Sequence, residues 1–178
     1  MNSKSIASIT AVGAVAVTLF AALVVASAAS ATHVNGDPTF TTNPYFNCRG
    51  DHGIGVPDGH RLVLRIGYAA KNPGLVRDFL NTLEDFEVTI NGVPIADPMQ
   101  YWGAPEPFGD YWITRWVYDT GIVVTFANPF WLEITSTAAH RLHDGVTREE
   151  DRNRPIFAEA GQSLIDTDGP CFVGAFSI

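Results

Sequence analysis

Between His60 and Ala69 the chain reads HRLVLRIGYA, and its even positions from Leu62 to Tyr68 are all large and apolar. Leu62, Leu64, Ile66 and Tyr68 fall on one side, Arg61, Val63 and Arg65 on the other. A period of two belongs to an extended strand with one buried face, because a helix repeats its faces every 3.6 residues. The pattern returns in FEVTINGVPI, where Phe86, Val88 and Ile90 face inward, and in YWITRWVYD. There Trp112, Thr114, Trp116 and Tyr118 share one face, with Tyr111, Ile113, Arg115 and Val117 on the other. GIVVTF, FWLEITSTA and CFVGAFSI read as further strands, and PIFAEAG as a short extended piece. A one-faced strand must be covered by a second layer, and many short strands between turns make a sandwich.

The turns agree. Asn91-Gly92 is the dipeptide that most readily takes the positive φ angles of a two-residue hairpin. Val93 and Ile95 continue on the partner strand, which Pro94 confines to an edge, since it has no N–H for a central ladder. One segment breaks the alternation, NPGLVRDFLNTLEDF. Asn72 suits a helix cap and Pro73 a first turn. Leu75, Phe79 and Leu83, with Val76 and Leu80 beside them, make a stripe suited to packing on the sheet edge. The expected fold is therefore all-β: a single-domain antiparallel β-sandwich, immunoglobulin-like in outline, with one short helix at about 73–84. The outline goes no further, because immunoglobulin cysteines lie closer together, with a tryptophan between them.

Residues 1–31 stand apart. They carry one charge, Lys4, then an apolar stretch from Ile6 to Ala26 and the small residues Ala29-Ser30-Ala31. That is the pattern of a secretory signal peptide cut after Ala31; the alternative is an uncleaved anchor. No later apolar run reaches membrane length, so no transmembrane segment is expected after signal removal. Residues 32–60 read as an extended leader and loop, and 61–178 as the sandwich domain. Asp97–Asp110 and Leu142–Pro155 read as loops, the second charged and exposed. The expected location is secreted or cell-envelope. Two cysteines in an oxidising destination imply a Cys48–Cys171 disulfide tying the leader to the last strand, against the alternative of two buried thiols. With 19 acidic against 11 basic residues and a net charge of −8, nucleic acid is excluded as a partner.

The chemistry is sparse. Tyr101–Tyr118, YWGAPEPFGDYWITRWVY, holds three of the four tryptophans. Such rings either stack on a ligand or fill the space between two sheets. The shared face of Trp112, Trp116 and Tyr118 favours filling, whereas Tyr101 and Trp102 sit in a proline-bracketed loop. The candidate binding residues are Tyr101, Trp102, Phe108 and Trp112. Arg49-Gly50-Asp51 matches an integrin-binding tripeptide, or simply a glycine turn after the disulfide. His140 and His143 with Asp144 invite a metal reading, but zinc needs three or four converging ligands. Asp166-Thr167-Asp168-Gly169 resembles a piece of a calcium loop without its later oxygen ligands. Glu106 and Asp110 are a conceivable glycosidase pair. No nucleophile elbow, H-E-x-x-H helix or phosphate-cradling glycine loop occurs. No catalytic residue, metal or cofactor is expected. The expected function is a secreted or cell-envelope, non-catalytic binding or structural module, with an extracellular ligand, a glycan or an envelope protein, as partner. The alternatives are a carbohydrate-binding module using loop aromatics and a small secreted hydrolase.

Overall fold

The computed structural model describes residues 36–48, 53–149 and 154–177. In chain order the elements are β1 (Thr39–Thr42), α1 (Pro44–Asn47), β2 (Ile54–Pro57), β3 (His60–Ala70), α2 (Pro73–Thr82), β4 (Leu83–Ile90) and β5 (Val93–Pro94). A 3-10 turn (Pro98–Tyr101) leads to β6 (Glu106–Phe108), β7 (Tyr111–Val124), β8 (Phe130–Ala138), β9 (Arg148–Glu149), β10 (Arg154–Pro155) and β11 (Cys171–Phe176). One sheet has the order β1-β3-β7-β6 and the other β2-β11-β8-β4-β5, with β9 and β10 as a separate small ribbon. The fold is an all-β sandwich.

The alternation decides what lies between the sheets. Leu62, Leu64, Ile66 and Tyr68 of β3 and Thr114 and Trp116 of β7 are buried, and they meet Val88 of β4, Leu132 and Ile134 of β8 and Val173 of β11. The Asn91-Gly92 turn has the expected positive φ at both residues, 52° and 73°. β5 is the edge of its sheet, as Pro94 requires.

Besides the short α1 in the segment read as leader, and the 3-10 turn and β6 in the Asp97–Asp110 segment read as a loop, four features depart from the sequence reading. First, pairing is antiparallel except at two edges, where β1 runs parallel to β3 and β2 parallel to β11. Both strands lie in the segment read as leader and loop; four residues each are too few to show a period. Second, YWITRWVYD and GIVVTF are one strand. Thr120–Ile122 bulge out opposite Leu62, and the turn-like Asp119-Thr120-Gly121 is absorbed with Gly121 at φ 67°. Third, the helix ends at Thr82, and its buried residues are Val76, Phe79 and Thr82, with Leu75, Leu80 and Leu83 only partly buried. Leu83 starts β4 because its backbone is needed by the ladder to Ala138. Fourth, the 142–155 segment begins inward: Leu142 and Asp144 are buried, and the Asp144 carboxylate accepts from the backbone N–H groups of Val146 and Thr147.

A disulfide joins Cys48 to Cys171, 123 residues apart. It fastens the segment between β1 and β2 to the first residue of β11. Among the described residues no helix is long and apolar enough to cross a membrane.

Candidate functional site

The crowded aromatic segment closes the side of the sandwich. Trp116 is fully buried, and its indole N–H donates to the Pro98 carbonyl at 2.7 Å. Tyr101 turns edge-on to Trp116 and to Tyr118, with centroids 6.3 and 4.9 Å away. Trp102 packs against Phe79 and Phe86 at 5.3 and 5.9 Å. The loop is drawn in by its backbone: Gly103 N–H donates to the Arg115 carbonyl, and the Thr114 hydroxyl donates to the Gly103 carbonyl. Prolines hold these rings in place, but against the core. Trp112 is half-buried on the same inward face, packed on the core. Of the four candidate rings only Phe108 is mostly exposed, at 55%, with the Arg115 guanidinium 5.4 Å from its centroid. Tyr101, Trp102, Phe108 and Trp112 thus do not share one open face.

An aromatic surface does exist, on the outside of the second sheet. In β8 the inward set is Phe130, Leu132, Ile134, Ser136 and Ala138, leaving Trp131, Glu133, Thr135 and Thr137 outward. Trp131 is 52% exposed on a face otherwise polar along its strand. Its cross-strand neighbour is Phe172 of β11, the two rings meeting edge to face at 5.5 Å. Phe172 lies over Gly174: a Cβ there would come within 2.6 Å of the ring. The glycine is what lets the phenyl ring lie down beside the indole.

Beside Trp131 runs a groove of about 640 Å³, lined by Thr89, Asn91, Gly92, Glu133 and Pro170. Its end is rigid, because Asn91 bonds Trp131 twice: Trp131 N–H donates to the Asn91 side chain at 2.9 Å, and Asn91 N–H donates to the Trp131 carbonyl. The arrangement offers an apolar flat surface bordered by a carboxylate, a hydroxyl and an amide. Parity could have revealed Trp131 in the sequence, as the one ring on the polar side of FWLEITSTA.

The other sequence candidates are occupied by structural work. His140 bridges Asp78 and Thr82, its Nε2 3.0 Å from Asp78 Oδ1 and its Nδ1 3.1 Å from the Thr82 hydroxyl. The order carboxylate, imidazole, hydroxyl is that of a nucleophilic triad. Yet Thr82 is fully buried and also contacts the His140 backbone, so no substrate reaches its oxygen. The trio pins the end of α2 to the chain leaving β8. His143 contributes its carbonyl to the Tyr68 hydroxyl. Glu106 is ion-paired with Arg115, and Asp110 is exposed in the β6–β7 turn. Asp166 to Gly169 form a turn stapled to β8, where the Thr167 hydroxyl accepts from Ile134 N–H and donates to the Gly169 carbonyl. The signal segment 1–31 and Arg49-Gly50-Asp51 lie outside the described residues. Comparison of the chain with protein-family models, with curated proteins and with solved structures finds no match.

Proposed function

We propose that this chain is an exported, non-catalytic binding module that takes a neutral glycan on the outer face of its second sheet. The carrying observation is Trp131, a half-exposed indole braced by Phe172 and set beside a groove with Thr89, Asn91 and Glu133 on its rim. A pyranose has C–H groups on its faces and hydroxyls around its edge. An aromatic plane takes the first and flanking polar groups the second, the mixture that fixes orientation in small-ligand sites. The net charge of −8 opposes polyanions and leaves neutral sugars unaffected. Export is supported by the Cys48–Cys171 disulfide and by the charge and hydropathy pattern of residues 1–31. The sugar-binding role passes from the loop rings Tyr101 and Trp102 to a strand ring, because the loop rings are spent on packing.

Native affinity electrophoresis through gels holding cellulose derivatives, xylan, mannan or mixed-linkage glucan tests this reading. Retardation on at least one polymer is expected, and Trp131→Ala is expected to weaken it by about tenfold or more. Unretarded migration on all four, or undiminished retardation of the variant, overturns it.

A further inference from the structure

The outer face of the first sheet carries a second constellation with opposite chemistry. The residues of β3 pointing outward are Arg61, Val63, Arg65, Gly67 and Ala69, and those of β7 are Tyr111, Ile113, Arg115, Val117 and Asp119. Gly67 pairs with Arg115 and Arg65 with Val117, so the two arginines are diagonal neighbours on adjacent strands. Such neighbours lie about 7–8 Å apart, within reach of each other's long side chains. Between them the floor drops, because Gly67 and Ala69 leave the backbone almost bare. A groove of about 460 Å³ results, walled by Thr41, Arg65, Ile113 and Arg115.

Two like charges side by side cost free energy unless an anion joins them. This chain has 19 carboxylate side chains against 11 basic ones, so partners for arginine are plentiful. Arg61 on the same face meets Asp119 at 3.3 Å, and Arg115 meets Glu106. Arg65 is exposed and pairs with no carboxylate among the described residues. Arg115 itself is held in place by Glu106 on one side and by the Phe108 ring on the other. Five N–H donors per guanidinium leave several free to point into the groove.

We propose that the Arg65–Arg115 groove binds the carboxylate of a small hydroxylated acid of the hexuronate class. Planar guanidinium forks match a planar carboxylate, and the Thr41 hydroxyl supplies a partner for a sugar hydroxyl. The net negative field selects a monoanion over a doubly charged phosphate or a polyanion. The site is on the sheet opposite Trp131 and stands without the glycan reading.

Amide chemical-shift mapping with sodium galacturonate in chloride buffer tests it. Saturable shifts are expected at Arg65, Gly67 and Arg115, absent with galactose and about tenfold weaker with inorganic phosphate. Arg65→Gln, at an exposed position, is expected to weaken galacturonate binding about tenfold, and Arg65→Lys to weaken it less. Trp131→Ala should leave it unchanged, which separates this site from the other face. Equal shifts with galactose or phosphate, undiminished binding by Arg65→Gln, or no shift with galacturonate each overturns the proposal.

Discussion

Residue by residue, parity governs what each large ring does. Trp116 and Trp131 are both strand tryptophans, yet one is sealed in the core and the other half in solvent, because each follows the alternation of its own strand. Tyr101 ends the 3-10 turn and Trp102 follows it, so no strand period applies to either, and their inward turn rests on long-range bonds between Gly103 and β7. Tyr68 shows the energetic side of burial. Its ring stacks on Phe79 at 3.9 Å and its hydroxyl donates to the His143 carbonyl at 3.2 Å. Burial first, then the nearby Asp144 and Asp78, raises its pKa well above the ordinary 10. In alkali the unfolded chain ionises this tyrosine while the folded one keeps it neutral. Stability is therefore fully present below about pH 10 and falls as pH rises beyond it. Urea midpoints measured from pH 8 to 11.5 should show that fall, and Tyr68→Phe should flatten it; equal slopes would remove Tyr68 as its source.

Among the elements, the helix joins the two sheets, entering from β3 and running directly into β4. Its start was legible: the Asn72 side chain accepts from Leu75 N–H at 3.1 Å, with Pro73 in the first turn. Asn72→Ala is expected to cost about 1 kcal/mol in urea denaturation, and a change under a few tenths would deny the cap any role. The helix end was not legible, because Leu83 fits a helical stripe and a strand equally well and the ladder with β8 decides. β3, β4 from Phe86 onward and β7 as far as Tyr118 announced themselves by alternation. The four-residue β1 and β2 did not, since their pairing partners, β3 and β11, supply the reason they are extended. The groove at Trp131 was half legible: the ring by parity, its neighbours Thr89 and Pro170 only through the β4–β8 pairing and the turn before β11.

At the scale of the whole molecule, the Cys48–Cys171 bridge spans 123 residues. On the chain-entropy model a loop of that length restrains the unfolded state by about 5 kcal/mol, less whatever structure the reduced chain retains. Replacing both cysteines by serine should lower unfolding free energy by roughly 3–5 kcal/mol. Equal urea midpoints for wild type and variant would show that the bridge contributes nothing. Its pairing was readable from an even cysteine count, and so was its tie between the leader and the last strand; that the leader itself carries β1 and β2 on different sheets was not.

One consequence follows from where β11 lies. It is an inner strand, flanked by β2 from the early chain and β8 from the middle. The second layer therefore stays incomplete, with β8 offering a bare ladder, until residues 171–176 are delivered. A polypeptide arranged this way cannot seal its second layer by folding in chain order, because its early edge strand β2 has nothing to pair with until β11 is in place.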